Sequence, residues 1–222
     1  MLMKLKYYFQ TNWIRTLYFN FRSFPFKDAV KMPVIIFNHT LIRSLKGRIT
    51  ISGPVTHAMI KIGRCDVRNW EKRTTALAID GTLHFSGKAA IGSGSLLSVG
   101  KNATLTLGKK FRITAGTSII CHHAITIGDE VLSSWDNLIM DSDHHDIFDQ
   151  QGELLNAPRP VVIGNHVWLG CRTTLLKGCT IPDGCVVASG SILTRSFTES
   201  SSIIGGSGAA QNILKKNICW KE

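Results

Sequence analysis

The segment IGNHVWLGCRTTLLKGCTIPDGCVVASGSILTRS, residues 163–196, sets an aliphatic side chain at every sixth position: Ile163, Leu169, Leu175, Ile181, Val187 and Leu193. Four residues after each of the first five stand Val167, Thr173, Cys179, Cys185 and Ser191, all small or β-branched. A helical period of 3.6 does not produce this spacing, and neither does simple strand alternation. Six-residue units imply short strands joined by tight turns and wound into a parallel β-helix. The aliphatic residue then points into a prism, and the compact one fits near its corner. Gly, Asn and Asp in GNH, KGC, PDG and SGS supply the backbone freedom that corners need.

The spacing extends toward the N-terminus. Ile79, Phe85, Ile91, Leu97 and Ala103 share one phase; a shift of two residues gives Leu107, Ile113, Ile119 and Ile125; the first phase returns at Ile127, Ser133 and Ile139. The expectation is an all-β chain: a parallel β-helix over residues 46–214, a basic, aromatic appendage over 1–45 and a tail over 215–222. Stacked coils leave an open edge at each end, so the appendage is expected to cap one end and ILKKNICWKE the other.

The phase that marks Ile139 next reaches His145, and regular repeats resume only near Val161. Between them DIFDQQGELLNAPRP, residues 146–160, is polar and carries two prolines. A long insertion in a repeat protein is characteristically functional. It is read as an arm over a neighbouring coil or subunit. Just before it, MDSDHHD packs Asp141, Asp143, His144, His145 and Asp146 together.

Composition bounds the partners. The chain has 222 residues, 44% hydrophobic, enough for one sizeable core. Its net charge of +11 lies in the first third, because residues 1–73 hold 14 Lys and Arg against 3 acidic residues. Such a one-sided field points to an anionic surface or ligand: membrane lipid, an anionic polymer or a phosphate-rich cofactor, with no nucleic acid expected. The start, MLMKLKYYFQTNWIRTLYFNFRSFPFK, lacks the apolar region and cleavage site of a signal peptide, and no run reaches the roughly 20 apolar residues of a bilayer span. A cytoplasmic protein, peripheral on the inner face of the membrane, is the expectation, since aromatic and basic side chains suit the interface. The alternative is a basic arm packed on the domain. None of the six cysteines, Cys65, Cys121, Cys171, Cys179, Cys185 and Cys219, forms a CxxC pair, and reduced thiols that serve packing are expected.

The stretch VVIGNHVWLGCRTTLLKGCTIPDGCVVASGSILTRSF, with the preceding ITIGDEVLSSWDNLIMDSDHHDIFD, resembles the hexapeptide-repeat acyltransferases, and within them the sugar O-acetyltransferases of bacterial surface polysaccharides. The resemblance covers about residues 79–214. It implies a left-handed β-helix, a homotrimer with active sites between subunits, and acetyl-CoA as donor. Handedness comes from the resemblance alone, since parallel crossovers are ordinarily right-handed. In the family a histidine in a DTDxH-like pattern takes the acceptor's proton; His145 aligns with it, and His144 is the reserve. A neutral imidazole suits a general base near neutral pH. Asp143 or Asp141 is expected to hold the imidazole, as the acid of a triad does. Trp168 is expected to wall the acceptor or the pantetheine arm, and Trp135 either to wall the site or to meet a partner subunit. For the donor, the resemblance carries over Gly170, Ser189, Thr194 and Arg195, with Arg195 on a CoA phosphate. Where the family reads GNPAK this chain reads GGSGAAQ; Gly208 and Ala210 stand where proline and lysine are usual, which weakens the expectation at the adenine end.

Two other classes compete. His122 and His123 in CHHAITIGD, with His144 and His145, raise a zinc-dependent β-helix enzyme, although neither doublet has the spacing of ligands on one strand face. No metal is expected. A non-catalytic scaffold leaves the joint placing of histidines, tryptophan and loop without purpose. The acceptor hydroxyl remains open among sugars, serine and antibiotics, since one scaffold serves all three; the basic segment favours a membrane-associated glycan or its precursor.

Overall fold

A computed structural model describes residues 9–64 and 72–221; Cys65 lies outside the described residues. Among the described residues twenty-two strands form three sheets of nine, seven and six strands, and except for the last two strands of the nine-stranded sheet, neighbours lie three strands apart along the chain. Val34–Ile36 enters the nine-stranded sheet, Thr40–Leu45 the seven-stranded sheet and Arg48–Ile51 the six-stranded sheet. Ile60–Arg64 then returns to pair in parallel with Val34–Ile36. The product is a three-sided parallel β-helix, closed at its C-terminal end by the antiparallel pair Ile203–Gly205 and Asn212–Lys215.

The hexad positions lie where the sequence puts them. Ile163, Leu169, Leu175, Ile181, Val187 and Leu193 are buried, as are Val167, Thr173, Cys179, Cys185 and Ser191 between them. Each of these aliphatic side chains contributes roughly 1.5–3 kcal/mol by leaving water. Burial pushes the Cys179 thiol up to about 12 and raises Cys185, so both remain neutral packing groups.

The two-residue phase shift has a structural cause. From Ile163 onward, stacked partners are 18 residues apart, as in Ile163 on Ile181 and Leu169 on Val187. Earlier coils are longer: Ile79 pairs with Val99 and Phe85 with Leu107, 20 and 22 residues on. The extra residues lengthen the strands from two residues to four or five. Ser133 occupies an aliphatic position as a buried hydroxyl, bonded to Thr117 Oγ1 and Asn137 Nδ2 at 2.9 Å each, so its polarity is satisfied.

The appendage is shorter than residues 1–45, because the first coil begins at Val34. Helix α1, Trp13–Ser23, is opened by Asn12, whose side chain accepts from the Arg15 amide at 3.0 Å. Helix α2, Phe26–Ala29, follows. The buried side chains of α1 cover the open edge of the first coil. Asn20 donates to the Val34 carbonyl at 2.7 Å and accepts from the Val34 amide at 3.1 Å. Thr16 Oγ1 accepts from the Ile36 amide at 3.0 Å. Two polar side chains thus take the place of a neighbouring strand, which blunts an edge that would otherwise template aggregation. No helix among the described residues is long and apolar enough to cross a membrane.

Candidate active site

The strand Leu138–Met140 of the seven-stranded sheet ends at the corner where coil regularity stops. Asp141 is fully buried there. Its Oδ1 accepts from the His122 amide at 2.7 Å and its Oδ2 from the His123 amide at 2.9 Å. The carboxylate therefore pins the adjacent corner of the previous coil. Asp143 accepts from Lys177 Nζ at 2.5 Å and from Asn156 Nδ2 at 3.0 Å. Lys177 also donates to the Asn156 carbonyl at 2.7 Å and clamps the loop onto the next coil. The Lys177 hydrogen bond, with help from Asn156, lowers the Asp143 pKa. Neither aspartate is spent as expected: both are hydrogen-bonded to other groups, and Asp141 reaches His144 only as a nearby charge.

What the corner brings together is imidazole on imidazole. His144, with φ of +64°, sets its ring edge-on to that of His122, centroids 4.1 Å apart. The Ser142 hydroxyl accepts from the His144 amide at 3.1 Å, a short turn that a left-handed residue completes. Desolvation, then the neighbouring His122 and His145, lower the His144 pKa. The ring is thus kept neutral below the ordinary histidine range. His145 is exposed, and its carbonyl accepts from Asn156 Nδ2 at 2.7 Å, so the same asparagine that meets Asp143 also holds His145. Across the two coils it is His122 that meets His144. Among the described residues no three His, Cys, Asp or Glu side chains are grouped to hold a metal ion.

The insertion folds back on itself. Phe148 bridges Leu154, and Asp149 Oδ1 accepts from the amides of Gln151 and Glu153. Its apolar side chains Ile147, Phe148, Leu154 and Leu155 all face solvent in the single chain.

Trp168 lies on the outward face of the nine-stranded sheet, stacked between Leu132 and Val186, and is 38% exposed. Its indole N–H donates to Ser134 Oγ at 2.9 Å, which anchors the ring to the neighbouring strand. Trp135, at the far end of the Leu132–Trp135 strand, is also exposed. The C-terminal tail adds a residue that carries no periodic signal. Trp220 stacks on His166 at 4.2 Å and 8° and reaches within 6.0 Å of Trp168. Its indole N–H donates to the His166 carbonyl at 2.9 Å, and His166 Nε2–H donates to the Trp220 carbonyl at 3.1 Å. The six-stranded sheet separates Trp168 from the histidine corner: the chain leaves His144, crosses that sheet at Val161–Ile163 and only then reaches Trp168.

The donor residues carried over from the resemblance lie on the last coils. Gly170 is required by space, since a Cβ there would stand 2.7 Å from both the Ser189 amide and the Val187 carbonyl. Its own amide donates to the Val187 carbonyl at 2.9 Å and is therefore part of the coil rather than a ligand donor. Ser189 Oγ receives the Cys171 thiol at 3.5 Å. Thr194 is engaged by Gln211, whose Oε1 accepts from the Thr194 amide and whose Nε2 donates to the Thr194 hydroxyl, each at 2.8 Å. Arg195 donates to the Gln211 carbonyl at 2.5 Å and lies 4.7 Å over the Phe197 ring. Gln211 is thus the staple of this end. Sequence spacing gave no sign of it, although it belongs to the GGSGAAQ departure.

With this geometry in view, residues 160–195 match the bacterial transferase hexapeptide family (six repeats). The galactoside O-acetyltransferase of Escherichia coli (strain K12) is 32% identical over 104 residues, 46% of this chain and 46% of the relative. The polysialic acid O-acetyltransferase of Escherichia coli O1:K1 / APEC is 29% identical over 110 residues, 49% of this chain and 35% of the relative. The chain thus spans half or less of the length of these relatives. The crystal structure of the polySia specific acetyltransferase NeuO superposes with a TM-score of 0.54 at 22% identity, over 85% of this chain and 82% of that one. That likeness shows the fold, a left-handed β-helix.

Proposed function

We propose that this hexapeptide-repeat protein is an O-acetyltransferase that moves an acetyl group from acetyl-CoA to a hydroxyl of a sugar in a surface glycan or its precursor. The observation that carries the reading is the imidazole cluster at the corner before loop 146–160, His144 against His122 with His145 beside them, where the coil next to it bears the outward Trp168. An alcohol is a weak nucleophile until its proton is taken. His145 accepts that proton as the hydroxyl oxygen attacks the thioester carbonyl, and returns it to the CoA sulfur as the carbon–sulfur bond breaks. Atoms and charge balance with no metal step. Partial desolvation and the neighbouring His122 lower the His144 pKa, which disfavours a second positive charge beside the imidazolium that forms on His145.

Trp168 lies on the face of the nine-stranded sheet and the histidines lie at a corner, with the six-stranded sheet between them along the chain. We read the enzyme as a homotrimer in which the histidines of one chain face Trp168 of the next, and in which the exposed apolar side of loop 146–160 covers a neighbour. The donor is assigned to the last coils, where Thr194 and Arg195 must exchange Gln211 for the ligand. On α1 and the residues after it, Ile14, Tyr18, Phe21 and Phe26 are exposed among Arg22, Lys27 and Lys31. That mixture supports peripheral contact with the cytoplasmic face of a membrane, where a lipid-linked acceptor is presented.

The test is release of CoA thiol from acetyl-CoA in the presence of a panel of neutral and acidic oligosaccharides, serine and aminoglycosides. Saccharide-dependent release is the expected result; release with none of them would refute the assignment.

A further inference from the structure

The chain beyond the last strand does more than close the prism. Asn212–Lys215 already pairs with Ile203–Gly205 at the edge of the nine-stranded sheet. Residues 216–221 then turn back along a corner of the prism toward earlier coils. The Lys216 amine meets Glu199 at 3.1 Å, and the Ile218 amide donates to the Ser201 carbonyl at 2.8 Å. The Ser201 amide donates to the Asp183 carbonyl and the Gly184 amide to the Asn165 carbonyl, so these corners lie one above another. The tail descends this stack and reaches the corner of Asn165 and His166, two coils below the edge it could cap.

Trp220 is held there at three points. Its ring stacks on His166, its indole N–H donates to the His166 carbonyl, and its own carbonyl accepts from His166 Nε2–H. This places the indole 6.0 Å from Trp168, centroid to centroid, with the two rings inclined at 43°. Trp168 is likewise anchored, through Ser134 Oγ. With both N–H groups engaged by the protein, the pair offers a ligand the carbon surface of two indoles meeting at an angle, each partly open to solvent. The polar groups beside it are His166, whose Nδ1 lies 3.9 Å from Glu130 Oε2, and Lys110, which pairs with Glu130.

We propose that Trp220 is an acceptor-binding residue, which with Trp168 forms an aromatic angle that takes a pyranose ring of the acceptor by its C–H face. The inference rests on the acetyltransferase reading above and adds a residue to its acceptor site. A pyranose has an apolar face of C–H groups and a rim of hydroxyls. Indole carbon matches the first, by dispersion and by removing apolar surface from water. His166, Glu130 and Lys110 match the second, and an aromatic wall with a few placed polar groups is the usual composition of a small-ligand site. In the trimer proposed above, Trp220 stands with Trp168 opposite the histidines of the next chain. The adenine and pantetheine of CoA also suit an indole, but the assigned donor residues Thr194 and Arg195 follow Ile192–Leu193 of the seven-stranded sheet, on another side of the prism.

The experiment reads binding and turnover separately. Saturation-transfer NMR follows methyl β-D-glucopyranoside, methyl β-D-galactopyranoside, sorbitol and CoA on the full chain, on Trp220→Ala and on Trp220→Phe. Sorbitol carries hydroxyls without a ring face. Wild type is expected to bind at least one pyranoside, with transfer strongest at its ring C–H protons, and to leave sorbitol unbound. Trp220→Ala is expected to weaken that pyranoside about tenfold, the scale of one aromatic contact, and Trp220→Phe to recover most of the loss. CoA binding and thermal unfolding should be the same in all three proteins. If Trp220→Ala does not fold, truncation after Lys215, which retains the closing strand pair, is expected to show the same loss. No pyranoside binding in wild type, sorbitol bound as well as the pyranosides, or pyranoside binding unchanged in folded Trp220→Ala would overturn the proposal. So would weaker CoA binding in that variant, which would make the pair a donor wall. In turnover with acetyl-CoA the pyranoside KM should rise in Trp220→Ala at unchanged kcat. Trp220-dependent pyranoside binding with no release of CoA would instead count against the acetyltransferase reading alone.

Discussion

The coils before and after the interrupted corner solve the same packing problem differently. Between Thr75 and Ile127 the rungs take 20 or 22 residues, with strands of four or five residues. From Trp168 to Leu193 they take 18, with strands of two. Longer strands give a wider face, and on that face lie Ala90, Gly92 and the cations around them. Shorter strands put more of the chain into corners, and the corners carry Gly170, Ser189 and Thr194. One region is broad and carries lysine and arginine on its face, and the other is narrow and closed by hydrogen bonds at its corners.

The largest expected effect concerns the junction between the two regions. His145→Ala should lower acetyl transfer by about 10²–10⁴-fold, the usual worth of a general base. His144→Ala should cost less, since that ring supports its neighbour. Steady-state rates of CoA release check both, and the reverse order would exchange the two roles.

Next in size is the N-terminal cap. Asn20→Leu leaves the Val34 amide and carbonyl unpaired and buried. At roughly 1–3 kcal/mol for each of the two unsatisfied groups, a loss of about 2–6 kcal/mol is expected in denaturant unfolding. The C-terminal coils should respond to volume instead. Gly170→Ala forces a Cβ within 2.7 Å of the Ser189 amide and is expected to destabilise by about 1–3 kcal/mol. The same change at Gly190, where nothing lies within 4 Å, meets no neighbour; its cost should come from its φ of +74° alone and be smaller.

Smaller effects come from the titrating groups. Lys177 lowers the pKa of Asp143, so the contribution of the pair is present above the unfolded carboxylate value of about 3.9 and is lost as pH falls through the folded value. The loop should therefore stay clamped from pH 5 to 8. Lys177→Met should release it at neutral pH, read as faster proteolysis within residues 146–160. The His144 shift has the same sign: its contribution is present above about 6.5 and is lost as pH falls through the lower folded value. His122→Ala removes burial and a like-charged neighbour together, so the His144 pKa followed by NMR should move upward.

Legibility in the sequence followed regularity. The 18-residue coils were readable because every rung repeats the same contacts, so Leu169, Cys179 and Leu193 each confirm one phase. The earlier rungs showed the period but not its length, because two added residues in a strand look like a slip of phase. The start of the first coil was missed: Val34–Ile36 and Thr40–Leu45 are single rungs with no sequence neighbour to repeat. At the corner, the histidines were legible and the duties of the aspartates were not. Asp141 and Asp143 adjoin the imidazoles along the chain, yet their partners, the amides of His122 and His123 and the amine of Lys177, come from other coils. Gln211 and Trp220 act through contacts 17 and 54 residues away, and no local pattern encodes such pairs.

The most direct test of the account mixes two defective chains. His145→Ala and Trp168→Ala are each expected to be nearly inactive as pure proteins. Co-refolded at equal amounts, they should form trimers in which about a quarter of the interfaces pair an intact histidine corner with an intact tryptophan face, and activity should return to about that fraction of wild type. Activity no higher than that of either pure variant would contradict a site shared between neighbouring chains.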